Sequence, residues 1–428
     1  MKIIVFFAVL LFVSVSLFSV LPRQSDAGKP PLSALLQRVS QSLFDDRVHT
    51  ISIGIDRMLF EQHVLRRKRT YARAGTFSFD GLILKDVGVR FRGNTPDNAG
   101  KPQLKFNFAC RQMVTEAGGT TRLFAENSGR RFQGVKCINL RCNPSLSADL
   151  ITDKLSSEVF RAAGALYPRI GLARLYVNGV YYGLYLLTEQ IDGTFLKTHL
   201  GNSIGNGFKL AWTRNKVLGP FPGMPHSFPY RVFRKGDAAA GDDLQAFLQG
   251  IAAARMDGDF SRLFAVDHFV AYWAASVLSG HWDSLLGNLQ NDHLFHNAAD
   301  GKWYCIGWDG DNNFDMAFRL RGGISMYQEP IDGFYQCHET SVIFRQAYRI
   351  RGIHAAYTNK LASLLANVFH PTRLHARMDR MAALLLPYLP AEPPASRLGS
   401  AAFQAELLRI KEYISRRHGH VSFQLNSR

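Results

Sequence analysis

The apolar positions of this chain change period part-way along it. Val87, Val89 and Phe91 alternate with Gly88, Arg90 and Arg92, and Leu104, Phe106 and Phe108 alternate with Lys105 and Asn107. Alternation at period two predicts strands with one apolar face for a core and one cationic face. If the two strands pair, Arg90, Arg92 and Lys105 share a surface, which suits phosphate or is simply the solvated side of a sheet. A hairpin follows in LARLYV-NG-VYYGLYLLTEQID, with Asn178-Gly179 as the turn. Between these β-type runs, Leu150, Ile151, Leu155, Val159 and Phe160 recur at helical spacing. They predict a helix from Ser147 to Ala163, stopped by Gly164.

Beyond Gln190 the helical period dominates. Helices are predicted from Asp242 to Phe264, from Val266 until Gly280, from Ser341 to Val368 and from Pro371 to Leu386. A last helix places Phe403, Leu407, Ile410 and Ile414 on one face, and a shorter one is expected from Leu32 to Leu43. The Pro/Gly-rich stretch from Gly219 to Pro229 reads as a surface loop. DHLF and KWYCIG are short β-type runs joined through a turn at Asp300-Gly301. The fold class is therefore α+β: a β-rich lobe with one helix over residues 45–190, a hinge near residue 190, and a mostly helical lobe over residues 191–390. A helical extension follows over residues 391–428.

The 51 Lys+Arg against 34 Asp+Glu leave a net charge of +17, which favours acidic partners without choosing among them. A hydrophobic content of 46% can build a large core and speaks against extensive disorder. The run from Ile3 to Leu21 is long enough to span a bilayer and also resembles a secretory signal. Residues 1–27 are thus expected to be a signal peptide or anchor, with a possible membrane anchor through residues 3–21 and the rest outside the cytosol: secreted, periplasmic or membrane-anchored. Five cysteines suit an oxidising compartment, and Cys137 and Cys142 are expected to form a disulfide. There is no C-x-x-C, so zinc and thioredoxin-like chemistry have little support.

The chemistry concentrates between His281 and Asp315, where Asp283, Asn288, Asn291, Asp309 and Asp311 form a polar centre. The predicted hairpin would return Asp309 and Asp311 to the end occupied by Asp283 and Asn288. A hydroxyl attacking a γ-phosphate needs a carboxylate to orient it and accept its proton, and magnesium prefers the hard oxygens of Asp and Asn. An EF-hand is disfavoured, because Phe314 stands where its invariant Gly would be and Leu320 where its final Glu would be. A metal-dependent phosphoesterase is a rival reading, but His281, His293 and His296 lack paired ligand spacing.

The order catalytic Asp, Asn, second Asp is that of protein kinases. His281-Trp282-Asp283 with Asn288 resembles H-R-D-x-x-x-x-N, with Trp in place of Arg. More specifically, VRFRGNT with KPQLKFNF, the helix ending in VFRAAG, LYVNGVYYGLYLLTEQID, HWDSLLGN and WDGD resemble the CotH spore-coat-type atypical protein kinases. The resemblance covers most of residues 86 to 315. It implies a two-lobed protein-kinase-like fold that binds ATP with Mg2+ or Mn2+ and phosphorylates Ser or Thr of exported or surface proteins, with no specific nucleic acid expected. By it Asp283 is the catalytic Asp, and Asn288, Asp309 and Asp311 are candidates for metal. Lys105 resembles the nucleotide-phosphate lysine, with Lys101 the runner-up; Arg92 resembles the arginine beside the nucleotide loop, and Glu189 lies near the hinge that reads adenine. Asp153 or Glu158 is expected to pair with Lys105. The alternative is a silent relative that keeps the fold and a nucleotide or polyanion site without turnover.

Overall fold

The computed structural model describes residues 42–93, 101–142, 149–210, 218, 230–236, 240–316, 325–334, 337, 341–393 and 400–428. The expected export segment, residues 32–41 of the expected first helix and the Gly219–Pro229 loop lie outside them. Among the described residues no helix is long and apolar enough to cross a membrane.

The first half holds β1 (Val48–Ile55), β2 (Ala72–Phe79), β3 (Leu82–Phe91), β4 (Leu104–Asn107), β5 (Gln112–Val114), β6 (Thr121–Leu123), β7 (Cys137–Arg141), α1 (Asp149–Ala163), β8 (Ile170–Val177) and β9 (Val180–Glu189). The alternating residues do what their period predicts: Val87, Val89, Leu104 and Phe106 are fully buried in one cluster. The strands run in the order β1-β8-β9-β7-β4-β3-β2, and β2 pairs again with β1, Ile51 opposite Phe79. The β-rich part is therefore a closed barrel, with β5 and β6 appended to β2, where the sequence pattern predicts only paired strands. Closure removes the exposed edges that an open sheet would leave. Asn178 (φ 51°) and Gly179 (φ 83°) make the tight turn of β8 and β9. The Asn178 amide also bonds both backbone groups of Ile55 on β1, at 2.8 and 2.9 Å. On the outside of the barrel Leu172, Leu184 and Leu186 pack into the core that α1 shares with the helical part. That wall is buried on both faces, which is why Leu184 to Leu187 reads as continuous rather than alternating apolar sequence.

The second half holds α2 (Gly193–Leu200), β10 (Gly205–Leu210), β11 (Tyr230–Arg234), α3 (Ala240–Ala253), α4 (Asp257–Leu263), α5 (Val266–Ser279), β12 (His293–Asn297), β13 (Lys302–Ile306), α6 (Val342–Arg349), α7 (Arg351–Asn367), α8 (Pro371–Leu385) and α9 (Ser400–Asn426). Its strands form a second sheet in the order β11-β10-β12-β13. Two long helices of the sequence pattern are each split. Asp259 accepts from the backbone N–H groups of Arg255 and Met256 and starts α4 afresh. Ile350, with φ −85° and ψ 108°, separates α6 from α7. α5 is buried almost all round, and its Trp273 stacks on Tyr357 of α7 with ring centroids 3.7 Å apart.

The expected Cys137–Cys142 disulfide does not form: all five cysteines are buried thiols. The odd offset along an extended segment turns Cys142 into the barrel and Cys137 outward. Five extended steps separate their Cα atoms by roughly 16 Å, against the ~7 Å limit for bridging.

The chain beyond α8 is tied back to the barrel. Glu392 accepts from Lys101 Nζ at 2.8 Å, the Leu184 N–H at 2.5 Å and the Tyr181 hydroxyl at 3.1 Å. The Lys101 and Glu392 side chains are only 2% and 3% exposed. Gly183 (φ +105°) leaves the room, since a Cβ there would lie 2.8 Å from a Glu392 oxygen. Glu392→Ala strands the Lys101 ammonium in the interior, and the expected loss is about 3–5 kcal/mol of folding stability. Urea denaturation reads it; a loss under about 1 kcal/mol would mean that water reaches the lysine.

Candidate functional site

α5 ends at Gly280 (φ +70°), and the chain turns straight into the polar loop. His281 is buried, with Nδ1 2.9 Å from Asn313 Oδ1 and Nε2 3.3 Å from Asp292 Oδ1. Burial disfavours its charged form, but Asp292 and Asn313 outweigh this and raise its pKa. Two residues on, the Asp283 carboxylate accepts from Asn288 Nδ2 at 2.9 Å, Asn291 Nδ2 at 3.0 Å and the Gln290 amide. Three neutral amides thus aim the carboxylate.

The hairpin brings the second acidic loop back as expected. His293 lies opposite Ile306, and the Trp308 N–H reaches Asp292 Oδ1 at 2.8 Å. Asp292 is the joint: its other oxygen accepts from the Leu285 N–H at 2.9 Å and from the Tyr272 hydroxyl, so one buried carboxylate holds both loops. Nothing in the local pattern sets Asp292 apart from its polar neighbours, and sequence reasoning misses it.

Asp309 sits in the left-handed region (φ 68°), its side chain 30% exposed, and is paired with Arg141 of β7. Arg141 also pairs with Asp153 of α1, whose carboxylate takes the Tyr167 hydroxyl at 2.7 Å and the Gly310 N–H at 3.1 Å. Arg141 therefore ties α1 to the second acidic loop, and it, not Lys105, is the cation that pairs with Asp153 of that helix. The expected pairing of Lys105 with Asp153 or Glu158 is not made. Lys105 lies on the barrel face away from the core and donates to Gln190 Oε1 at 2.8 Å, while Glu158 is bound by Arg377 at 2.7 Å. The one legible signal for Arg141 is a cation closing a short strand whose other residues are Cys137, Ile138, Asn139 and Leu140.

The shared cationic face is present. Arg90 is the cross-strand neighbour of Lys105, and Arg92 lies just past the end of β3, two residues from Arg90. Burial pushes the Lys105 ammonium down, with Arg90 and Arg92 adding to the effect and Cys137 and Asp192 opposing it. Lys101 and Glu189 are elsewhere engaged: Lys101 with Glu392, and Glu189 with Arg169 at 2.6 Å and His199 at 3.1 Å. Burial opposes ionisation of Glu189, yet His199 and Arg169 hold its carboxyl far below the usual carboxylate range. A depressed carboxylate pKa contributes stability above its unfolded value of about 4.3 and loses it as pH falls. The stability gap between wild type and Glu189→Gln should be full at pH 6 and shrink below about pH 4. Urea midpoints at pH 6, 4 and 3 check this, and a constant gap would show that the charge is not what matters.

Among the described residues no three His, Cys, Asp or Glu side chains gather into a metal cage. Asp309 and Asp311 share one loop, and Asn288 lies on the other loop that Asp292 holds; each carries hard oxygens of the kind magnesium uses together with phosphate oxygens and water. The part-exposed Asp309 carboxylate fits such a site.

The profile of the family described as CotH kinase protein matches residues 89–421. Invasin CotH2 of Rhizopus delemar is 23% identical over 184 residues, which are 39% of this chain; the chain spans 30% of the length of that relative. Among solved structures, the HipA–HipB toxin–antitoxin complex of Shewanella oneidensis MR-1 with operator DNA aligns over 68% of this chain and 60% of that one, with 13% identity and a TM-score of 0.30. The Helicobacter pylori proinflammatory kinase CtkA aligns over 67% and 94%, with 11% identity and a TM-score of 0.24. Likenesses at those scores carry no weight for the chemistry of this chain.

Proposed function

The chain belongs to the CotH kinase protein family, and from that premise we propose that it transfers the γ-phosphate of ATP to Ser or Thr of exported or surface proteins, on a two-lobed kinase-like frame. The observation that carries the reading is the double use of Asp292. It holds the Asp283 loop through Leu285 and the Asp309 loop through Trp308, which supports a reading in which the proposed base and the proposed metal ligand work at one end of the hairpin.

In this reading Asp283 accepts the proton of the acceptor hydroxyl. The hydroxyl oxygen bonds to the γ-phosphorus, the bridging P–O bond breaks, and ADP leaves with that electron pair. Asn288, Gln290 and Asn291 keep the Asp283 carboxylate aimed. Asp309, with Asp311 and Asn288, would hold magnesium or manganese, which would neutralise charge on the phosphate oxygens. Arg92 and Lys105 present positive charge from the barrel face, and Arg141 keeps Asp309 and α1 in fixed relation. The Ile3–Leu21 run and a relative named as an invasin support an extracytoplasmic setting for the substrate.

Incubation of the purified chain with γ-labelled ATP and magnesium or manganese tests the proposal. Label on protein hydroxyls supports it. Release of free phosphate alone points to a phosphoesterase, and no turnover with retained nucleotide binding to a silent relative.

A further inference from the structure

The second sheet and the barrel each send cations to one indole. β10, β12 and β13 align Lys209, His293 and Ile306 in a row, and Trp308, two residues past Ile306, falls on the same face. On the barrel, Arg92 follows the Phe91–Leu104 pair and Arg141 follows the Leu104–Leu140 pair. Phe91, Leu104 and Leu140 are buried, so the next residue on each strand leaves by the opposite, outer face. The three cations converge: the Trp308 ring centroid is 4.9 Å from Arg141 Cζ, 5.2 Å from Lys209 Nζ and 5.4 Å from Arg92 Cζ.

Three like charges round one ring repel, and the indole face offsets only part of this. Arg141 has two carboxylates, Asp153 and Asp309. Arg92 and Lys209 have no carboxylate within ion-pair distance among the described residues, and Arg92 Nη1 is buried there without a hydrogen-bond partner. Asp292, the carboxylate in the field of Lys209, is already committed to His281, Tyr272, Leu285 and Trp308. Burial, then Arg92 and Arg141, push the Lys209 ammonium down to about 7. Burial and Lys209 together keep His293, opposite it, neutral. The cluster has positive charge and donor groups in excess of what the described residues supply to meet them. A phosphoryl group, with its several anionic oxygens, matches both.

We infer that Arg92, Arg141 and Lys209 form a phosphoryl seat beside Trp308, with Lys209 the phosphate-binding residue contributed by the helical half. The seat rests on the kinase reading only for its identity as the place where a nucleotide phosphate lies. Its occupancy by a polyphosphate does not require transfer.

The test is binding of inorganic tripolyphosphate, without metal, to the full chain and to Lys209→Met and Lys209→Arg, read by thermal shift and by tryptophan fluorescence. Labelled-ATP transfer is measured in parallel. Lys209→Met should melt at or above the wild-type temperature without ligand, because a like charge is relieved. It should bind tripolyphosphate at least about tenfold more weakly, with a correspondingly smaller ligand-induced shift. Lys209→Arg should keep most of the affinity. Unchanged tripolyphosphate affinity in Lys209→Met overturns the seat. So does failure of that variant to fold, since it would show that the cations are not crowded. If wild type binds tripolyphosphate through Lys209 but moves no label, the seat stands and the kinase reading falls. If transfer occurs and tripolyphosphate affinity is indifferent to Lys209, the reverse holds.

Discussion

Asp283→Ala should lower phosphoryl transfer by at least about 10²-fold, the low end of what a positioned base contributes, while leaving metal-dependent ATP binding nearly intact. Asp309→Ala should remove transfer and also most of the metal dependence of binding. The two aspartates differ in partner. Asp283 is surrounded by the amides of Asn288, Gln290 and Asn291, which in the proposed reaction would orient it for an acceptor hydroxyl. Asp309 is part-exposed beside Arg141, with Asp311 two residues on, and in the proposed reaction would offer a hard oxygen to a cation bound with phosphate. Truncating Asp283 also leaves amides without their acceptor, at a cost of about 1–3 kcal/mol, which a fold of this size should survive. Calorimetric titration of ATP with and without magnesium, in both variants, separates the roles. Full transfer activity in Asp283→Ala would end the catalytic assignment, and unaltered magnesium dependence in Asp309→Ala would move the metal elsewhere.

Arg141→Met should be the most destabilising change at the site, by about 3–5 kcal/mol. The Asp153 carboxylate is fully buried, and without Arg141 it keeps only the Tyr167 hydroxyl and the Gly310 N–H. A buried charge stripped of its partner costs more than the pair itself is worth, so the second replacement should recover stability. Arg141→Met with Asp153→Leu should be less destabilised than the sum of the single variants. Transfer should stay low in the double variant, because Asp309 has still lost the guanidinium that holds it. A chemical-denaturation double-mutant cycle gives the coupling. Simple additivity would mean that Arg141 stabilises through packing on Trp308, 4.9 Å away, rather than through Asp153.

The sequence by itself determined those features that depend on neighbours a few residues away. The alternation of Val87, Val89 and Phe91 gave the inward face of β3, Asn178-Gly179 the hairpin turn, and Gly280 the end of α5. The face of Phe403, Leu407, Ile410 and Ile414 is the buried face of α9. The grouping of Asp283 and Asn288 with the Asp309 loop was legible because one short hairpin joins them. Local pattern states which face a residue takes, not what meets it there. Barrel closure rests on β1 meeting both β2 and the distant β8, which no periodicity encodes. The break at Ile350 escaped notice because that residue is apolar and continues the pattern, and the one after Ala253 because the apolar period resumes at Phe260 beyond Asp257-Gly258-Asp259.

Only the tertiary structure decided how each buried charge is balanced. It assigned Asp153 to Arg141, Glu158 to Arg377, Lys101 to Glu392 and Asp292 to the two loops at once. It also set Lys209 beside Trp308 and kept Cys137 and Cys142 apart. The physical reason is the same in each case. Desolvating a charge is costly unless a partner lies within a few ångströms. Which partner arrives depends on strand register, barrel closure and the path of a segment hundreds of residues away.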